Sequence, residues 1–473
     1  MDIFLDPQAG EPLSEHLYHQ LRRAISSGRL VPGDKFTPSR QLAKELGVSR
    51  HTVTTAYGRL VAEGYAEGRA GGGSAVTAAL CPETQPAEPP SGLRPGRRFA
   101  GWTPIFPASG QHYAFDLRPG VPDPALFPAD AWRRRVAGAM TAGTLEYGNP
   151  AGKARLRQAI ASWIARTRSV TCGVDTIIVT SGAQHAIDLV SRVLLDPMGV
   201  VAIEDPGYTA AHRLFTALGA RVVSVPVDDQ GLVVDRLPPT ARIVYVTPSH
   251  QYPLGMTMSL ARRRALLAWA QEHDAAIIED DYDTEFRYVD RPLEPLHALD
   301  PSGRVIYVGS FSKTFSPSVR LGFAVIPPDL VEPVLALRQL IDWHPPQATQ
   351  AALAGFIEDG LLDRHIRRSR RVYTERYEIF TQHLEGPLGR HLTARTPNAG
   401  LHITTMLRPG LDEEPVLRAG AARGLGTAGL RQFYRAAPPR DGLLLGFGAV
   451  TTGDLPAALQ TLAAVLDEQR PGC

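Results

Sequence analysis

The sequence predicts a multidomain chain in which a small α+β domain precedes a larger α/β domain with a mostly parallel sheet. The chain has 473 residues, more than the roughly 100–200 residues usual for one domain. Residues 78–110 carry seven prolines and four glycines, and proline continues neither a helix nor an inner strand. Beyond that stretch, short apolar runs alternate with helical patterns. We therefore predict domains at 11–77 and 111–470, joined by a proline-rich linker at 78–110.

The composition predicts a soluble protein of a reducing compartment. The hydrophobic fraction is 44% and the charged fraction 21%, both ordinary for a globular protein. No apolar run reaches the roughly 18–20 residues of a membrane span, and "MDIFLDPQAGEPLSEHLY" lacks the pattern of a signal peptide. Cys81, Cys172 and Cys473 are odd in number and far apart, so their spacing predicts neither a disulfide framework nor a metal site. We expect a cytoplasmic protein with no membrane segment and no metal.

The first domain shows the element order of a helix-turn-helix followed by a hairpin. Leu13, Leu17, Leu21 and Ile25 recur at helical spacing and predict a helix from Leu13 to Ser27. The loop "GRLVPGDKFT" leads to the helical segments "PSRQLAKELG" and "VSRHTVTTAYGRLVAEG". The stretch "EGYAEGRAGGGSAVT" is typical of a β-hairpin with a glycine-rich tip.

The start of the third helix carries side chains suited to reading DNA. In a helix-turn-helix, the second helix of the motif presents its N-terminal residues to the bases. Here those residues offer donors and acceptors, and include arginine, the commonest guanine reader: Ser49, Arg50, His51, Thr52 and Thr54. Arg40, one helix earlier, can hold the phosphate backbone. Residues 20–60 hold eight Lys or Arg against two acids, which suits a polyanion, although a solvated basic face on a docking module is the alternative.

The segment "GDKFTPSRQLAKELGVSRHTVTTAYGRLVAEGY" resembles the winged helix-turn-helix of GntR-type bacterial regulators, and the likeness extends over residues 11–77. The resemblance implies that the domain binds double-stranded DNA. It implies contacts from residues at the matching positions, with a glycine in the wing: Arg40, Ser49, Arg50, His51, Thr52 and Gly71.

The second domain contains seven strand-like segments that are seven or eight residues long and rich in β-branched residues. They are "TIIVTSG", "VVAIEDPG", "RVVSVPV", "RIVYVTPS", "AAIIEDDY", "RVIYVGSF" and "LGFAVIP". Continuous apolar strands separated by helices are typical of a parallel sheet buried on both faces. Polar residues follow these strands at their carboxyl ends, where open α/β sheets bind ligands.

Lys313, in "GSFSKTFSPSVRLGF", is one of only four lysines in a chain with 50 Lys plus Arg. A primary amine condenses with an aldehyde, whereas a guanidinium does not do so usefully. Ser310, Ser312 and Arg320 add hydroxyls and a bidentate donor that suit a phosphate dianion. A random surface lysine is the alternative on composition alone, and the neighbouring residues favour a site for amine chemistry.

Two further segments complete the parts of a pyridoxal phosphate site. "TSGAQHAIDLV" ends a strand and opens a helix, so the amides of Gly182, Ala183 and Gln184 point at an anion. "AAIIEDDYDTEF" ends a buried strand at Asp280, whose carboxylate can hold a protonated pyridine nitrogen, and the phenol of Tyr282 can bond the ring oxygen.

These segments, together with "RPGVPDPALFP", "YGNPAGKARLRQAI", "EDPGYTAA" and "TPSHQYPLG", resemble fold-type I aminotransferases in the same chain order over residues 112–465. The resemblance implies an internal aldimine at Lys313, with Ser310 and Arg320 on the phosphate. Tyr208 or a residue of "SHQY" would pack on the ring, and Tyr147 would reach the phosphate from a neighbouring subunit, so the resemblance implies a homodimer.

One departure concerns the substrate carboxylate. Aminotransferases of α-amino acids carry an arginine in a strand near the C-terminus, and Leu444 of "GLLLGFGAV" stands at that place here. Arg431 and Arg435, just upstream, are the candidates for binding an effector carboxylate.

The combination of a GntR-like reader, a linker and an aminotransferase-like domain resembles the MocR/GabR group of bacterial regulators. The resemblance implies a transcription factor, not an enzyme, that carries pyridoxal phosphate and responds to an amine, an amino acid or the vitamer itself, with at most residual half-transamination. It implies an operator with two half-sites. A metabolic aminotransferase with an appended DNA-binding domain, and a DNA-binding protein with a cofactor-free dimerisation scaffold, are the alternatives.

Overall fold

The computed structural model describes residues 5, 12–69, 73–77, 94–105, 112–140, 145–288, 294–395 and 399–470. The chain divides into two compact units, residues 1–100 and 101–473. The elements of the first unit are α1 (Leu13–Ser26), α2 (Ser39–Leu46), α3 (Arg50–Ala62), β1 (Ala66–Arg69) and β2 (Gly73–Val76). This is the order predicted from the sequence, and α1 ends one residue earlier than predicted.

Local sequence signals explain the turn of the helix-turn-helix and its hairpin. Gly47 ends α2 with φ 66°, a left-handed backbone that glycine adopts at little cost. Ser49 caps α3, because its Oγ accepts a hydrogen bond from the backbone N–H of Thr52 at 3.1 Å. β1 pairs antiparallel with β2. Leu17 of α1 and Val53 of α3 are fully buried in the shared core, so packing between the helices fixes how α3 is presented.

The second unit is an α/β domain. Its helices and strands are, in chain order, β3 (Phe115–Asp116), α4 (Ala129–Ala139), α5 (Ala154–Arg168), β4 (Ile177–Thr180), α6 (Ala183–Leu194), β5 (Val200–Asp205), α7 (Thr209–Ala217), β6 (Arg221–Asp228), β7 (Gly231–Leu232), β8 (Ala241–Val246), α8 (Leu260–Glu272), β9 (Ala276–Asp281), α9 (Leu296–Leu299), β10 (Val305–Ser310), α10 (Phe311–Thr314), β11 (Gly322–Val325), α11 (Pro328–Ile341), α12 (Gln347–Glu358), α13 (Leu361–Glu385), β12 (Leu392–Arg395), β13 (His402–Leu407), α14 (Glu413–Ala422), β14 (Leu425–Gly426), β15 (Ala428–Gly429), β16 (Gly442–Gly446) and α15 (Leu455–Gln469).

An eight-stranded sheet forms the centre of this unit, in the order β4-β11-β10-β9-β8-β5-β6-β7. The pairs β10–β9, β9–β8, β8–β5 and β5–β6 are parallel, whereas β11 is antiparallel to both neighbours. All seven predicted strands are present, and the mostly parallel sheet is confirmed. Adjacent residues of β4 enter different cores: Ile178 packs in the cluster of Ile187 from α6, and Val179 in that of Ile160 from α5. Burial on both faces explains the continuous apolar strands.

A second, four-stranded sheet has the order β12-β13-β16-β15. Its core includes Ile403 of β13 and Leu445 of β16, packed with Phe380 of α13 and Leu459 of α15. None of the described helices is long and apolar enough to cross a bilayer.

The C-terminal part of the predicted linker belongs to the larger unit. The clustering boundary falls between Ala100 and Gly101, and Arg213 of α7 donates a hydrogen bond to the carbonyl of Thr103 at 2.7 Å. Residues 78–93 and 106–111 lie outside the described residues.

Candidate functional site

A cavity of about 510 Å³ lies at the carboxyl ends of the central strands. It is the place where loops after parallel strands converge, which explains how residues far apart in sequence share it. All of the predicted cofactor residues except Tyr147 line it: Gly182, Ala183, Gln184, Tyr208, Asp280, Tyr282, Ser310, Ser312, Lys313 and Arg320.

Lys313 lies on α10, directly after the central strand β10. Its Nζ donates a hydrogen bond to the carbonyl of Gly120. Burial lowers the pKa of the Lys313 amine, and the negative charges of Asp283 and Asp280 oppose that shift. An amine with a lowered pKa has more of its free-base, nucleophilic form near neutral pH. Gly120 follows the "RP" of "RPGVPDPALFP" and is a contact that the sequence analysis missed.

Asp280 ends β9 and is 4% exposed. One carboxylate oxygen, Oδ2, accepts a hydrogen bond from the hydroxyl of Tyr245 at 2.7 Å, while Oδ1 is buried with no hydrogen-bond partner among the described residues. Burial raises the pKa of Asp280 to about 7. A buried acceptor without a donor is costly, and a pyridinium N–H is a donor that would satisfy it. Tyr245 was missed, because nothing distinguishes it within its apolar strand.

Tyr282 connects the cavity to a buried cluster behind it. Its hydroxyl oxygen lies 3.1 Å from Nδ1 of His250, and that nitrogen lies 2.9 Å from Oδ1 of Asp283. Burial raises the pKa of Tyr282 well above its usual value, so the phenol keeps its proton at neutral pH. The sequence analysis named His250 only within "SHQY", as a candidate for packing on a ring, and missed Asp283.

Another group of lining residues resembles a phosphate cradle. Helix α6 starts at Ala183, directly after Gly182 with φ 108°, so its first amides lack partners within the helix. Arg320 donates from Nη2 to the carbonyl of Ser181 at 2.6 Å and remains exposed. Ser310 accepts a hydrogen bond at Oγ from the N–H of Ser312 at 3.1 Å. Helix amides, a guanidinium and two hydroxyls together suit a dianion.

Tyrosines form one wall of the cavity. Tyr208 and Tyr252 both line it, and their rings meet edge to face with centroids 5.7 Å apart. Burial raises the pKa of Tyr208 to about 12, so the ring stays neutral. Both candidates named for packing on a flat ring are therefore available on the same wall.

The two arginines predicted for an effector carboxylate do not line the cavity. Arg431 is exposed and pairs with Asp441, Nη1 to Oδ1 at 3.1 Å. Arg435 donates from Nη1 to the carbonyl of Gln432 at 2.9 Å. Leu444 is fully buried in an apolar cluster on β16, so this strand supplies no cation to the described cavity.

Tyr147 lies outside the cavity. It is 82% exposed, and its ring centroid is 5.2 Å from that of Trp343, itself 59% exposed. Its role toward a neighbouring subunit stays a prediction.

The candidate DNA-contacting residues are at the surface of the first unit. Arg40, Ser49, Arg50 and His51 are exposed and Thr52 is half-buried. Neither Arg40 nor Arg50 forms an ion pair with any residue that the structure describes. Gly71, predicted in the wing, lies outside the described residues. The start of α3 therefore offers cationic and hydroxyl groups to an external partner.

Comparisons with known proteins match both units. The gntR family of bacterial regulatory proteins matches residues 13–76, and the aminotransferase class I and II family matches residues 120–418. The "Probable rhizopine catabolism regulatory protein MocR" of Rhizobium meliloti is 37% identical over 460 residues, covering 95% of this chain and 92% of that protein. The pyridoxine biosynthesis transcriptional regulator PdxR of Corynebacterium glutamicum is 34% identical over 450 residues, covering 95% of both.

Solved structures similar to the larger unit include aminotransferases. An archaeal alanine:glyoxylate aminotransferase aligns with a TM-score of 0.71 and 28% identity, covering 76% of this chain and 92% of that one. The α-aminoadipate aminotransferase LysN of Thermus thermophilus, complexed with N-(5'-phosphopyridoxyl)-L-leucine, aligns with a TM-score of 0.69 and 27% identity, covering 75% and 92%.

Proposed function

We propose that this chain, which belongs to the family of MocR-type transcriptional regulators, is a cytoplasmic homodimeric regulator that binds pyridoxal phosphate at Lys313. Members of that family join a GntR-family helix-turn-helix domain to an aminotransferase class I and II domain. This chain responds to an amine, an amino acid or pyridoxal phosphate itself. The observation that carries the proposal is the convergence of Lys313, the unpartnered oxygen of Asp280 and the phosphate cradle on one cavity.

Each group in the cavity has a distinct task in this proposal. The cofactor supplies an aldehyde that a primary amine can join and a ring that withdraws electrons. Arg320 and the hydroxyls of Ser310 and Ser312 hold the phosphate together with the first amides of α6. Asp280 would accept a hydrogen bond from the protonated ring nitrogen, and the hydroxyl of Tyr282 would donate one to the ring oxygen. Lys313 would supply the primary amine that holds the cofactor.

The regulatory step requires that the effector favour one conformation of the dimer. A ligand that binds two conformations equally shifts nothing, so the effector must change the contacts of Lys313 or of the cavity wall. The dimer then presents its two recognition helices with altered geometry to the two half-sites of the operator.

The test is a joint titration of the loaded full chain. Amines, amino acids and pyridoxal phosphate are added while cofactor absorbance and operator affinity are followed together. We expect a compound that changes the absorbance to change operator affinity at the same concentration. A chain that takes up no cofactor would instead favour the dimerisation scaffold, and an absorbance change without any change in operator affinity would remove the sensing role.

A second candidate function is transamination, because the larger unit aligns with aminotransferases. Sustained turnover of an amino acid with a keto acid would establish it. We expect at most a single half-reaction, because neither Arg431 nor Arg435 lines the described cavity to hold a substrate carboxylate.

A further inference from the structure

Three side chains meet in a buried cluster behind Tyr282. Asp283, His250 and His402 are each 1% exposed, and one nitrogen or oxygen from each lies within 4.8 Å of the others. Asp283 follows β9, His250 follows β8, and His402 begins β13, so the cluster joins the large sheet to the smaller one. Burying such polar groups is costly unless they are hydrogen-bonded.

The hydrogen bonds of the cluster assign its protons. Nε2 of His402 lies 3.2 Å from the carbonyl oxygen of Pro253, which only accepts, so Nε2 carries a hydrogen. Burial lowers the pKa of His402 to about 4, so this ring is neutral. With Asp283 as the acceptor, Nδ1 of His250, which lies 2.9 Å from Oδ1 of Asp283, carries the hydrogen of that bond. Nε2 of His250 is buried with no partner among the described residues, which suits an unprotonated nitrogen.

This assignment sets the direction of the Tyr282 hydroxyl. The phenol oxygen lies 3.1 Å from the same Nδ1 that donates to Asp283. A nitrogen that already carries a hydrogen cannot accept another, so the phenol oxygen accepts there. The hydroxyl hydrogen is then free to point into the cavity that Tyr282 lines.

Asp283 also acts on Lys313. Burial lowers the pKa of the Lys313 amine, and the positive charge of Arg320 lowers it further. Two negative charges raise this pKa, and the effect of Asp283 is larger than that of Asp280. Burial raises the pKa of Asp280 to about 7, so Asp280 is only partly charged near neutral pH. The neutral ring of His402 and the protonated phenol of Tyr282 contribute no charge. Asp283 is therefore the principal counter-charge.

Gly400 leaves the space in which the pair of Asp283 and His250 packs. It has φ +92°, and a Cβ there would lie 2.1 Å from Cε1 of His250 and 2.6 Å from Oδ2 of Asp283. A larger residue would push the two side chains apart, so the loop before β13 is shaped around them.

We propose that Asp283 and His250 form a positioning pair that directs the Tyr282 hydroxyl hydrogen into the cavity, and that Asp283 is the counter-charge of the Lys313 ammonium group. The inference rests on the proposed function in that Lys313 is the cofactor-binding amine, and it names the residues that control that amine.

The test uses the full chain freed of cofactor with hydroxylamine and labelled with trace acetic anhydride from pH 6 to pH 11. The chain has only four lysines, so peptide mass spectrometry follows Lys313 beside Lys35, Lys44 and Lys153 as internal references. In Asp283→Asn we expect Lys313 labelling at pH 7 to rise about tenfold, because loss of a nearby opposite charge shifts a pKa by about one unit or more.

Glu279→Gln is the matched control. Glu279 is a fully buried carboxyl on β9, the strand that Asp283 follows, and its oxygens accept hydrogen bonds from the backbone N–H groups of Leu296 and His297. It is not among the charges that act on Lys313, so its removal should leave Lys313 labelling unchanged.

Two variants of His250 separate a positioning role from a merely structural one. His250→Phe leaves the buried carboxyl of Asp283 without its donor, which favours the protonated acid, so Lys313 labelling should rise as in Asp283→Asn. His250→Gln keeps an N–H for Asp283 and should restore the original labelling. If Asp283→Asn does not fold, the comparison of Lys313 labelling between His250→Phe and His250→Gln tests the proposal.

Two outcomes would overturn the proposal: unchanged Lys313 labelling in folded Asp283→Asn, or equal labelling in the two His250 variants. No cofactor is present during labelling. Failure here therefore leaves cofactor binding at Lys313 intact, and failure of cofactor binding leaves the labelling result interpretable.

Discussion

The two functional regions of this chain hold their polar side chains in opposite environments. Arg50 and His51 at the start of α3 are exposed, whereas Asp280 and Asp283 at the cavity are almost fully buried. DNA is a large external polyanion, so the residues that bind it must reach into solvent. A small cofactor is held by groups whose charge and hydrogen bonds are set before it arrives. The same chain therefore has one region that depends on accessibility and one that depends on preorganisation.

The variant with the largest expected effect separates the two regions completely. Lys313→Ala should abolish the visible absorbance that the chain retains after mixing with pyridoxal phosphate and removal of the free cofactor, because no other lysine lines the described cavity. Operator affinity without cofactor should stay unchanged. Absorbance spectra and fluorescence anisotropy measure the two effects, with Lys153→Ala as the control. Retained absorbance in Lys313→Ala would show that another lysine holds the cofactor.

The pH dependence of stability tests the preorganised region. Burial raises the pKa of Asp280 to about 7 in the folded chain, whereas an unfolded aspartate ionises near pH ~4. The folded state thus binds more protons between these values, and the free energy of unfolding falls as pH rises through that window. Asp280→Asn removes the charge and should raise the free energy of unfolding of the cofactor-free chain at pH 8 by at most about 4 kcal/mol.

Urea unfolding at pH 4 and pH 8 measures this effect. Glu204 and Glu279 have pKa values raised by burial to about 7 as well, so the variant should flatten the pH dependence only in part. Asp130→Asn, at an exposed side chain, should change neither value. An equal shift at both pH values would argue against a buried charge at Asp280.

The accessible region is tested by Arg50→Ala. Loss of an arginine that contacts a base or phosphate should weaken operator binding by about 1–3 kcal/mol, while cofactor absorbance remains unchanged. Anisotropy at several salt concentrations measures the affinity and its salt dependence. Arg23→Ala, at an exposed arginine on α1, is the matched control. Equal losses of operator affinity in Arg50→Ala and Arg23→Ala would show that the start of α3 has no special role in DNA binding.

The smallest expected effect concerns the N-terminal cap of α3. Ser49→Ala removes the acceptor for the N–H of Thr52 and should cost about 1 kcal/mol. Thermal unfolding without DNA should show the loss in the first unit. Thr54→Ala, whose hydroxyl bonds only carbonyls of its own helix, should change less. An unaffected unfolding temperature in Ser49→Ala would mean that packing alone holds the helix start.

The two regions also differ in how far the sequence predicted them. The helix-turn-helix rests on local signals, namely the left-handed Gly47, the Ser49 cap and the apolar spacing of α1, and the structure contains each of them. The ends of the strands in the larger unit were equally predictable from the sequence, and the residues that follow these strands line one cavity.

Contacts between distant segments could not be predicted in the same way. The hydroxyl of Tyr245 bonds Asp280, and the carbonyl of Gly120 accepts from Lys313 across 193 positions. The expectation that Arg431 or Arg435 would face the cavity also depended on tertiary packing, which pairs Arg431 with Asp441 instead.

The sequence by itself determined the two domains, the helices of the first domain and the set of residues around Lys313, because periodicity, caps and strand ends are properties of neighbouring residues. Only the tertiary structure decided which buried groups control that lysine. Asp283, His250 and His402 come from three separate elements, and their protonation depends on desolvation and on hydrogen bonds that exist only once both sheets are packed.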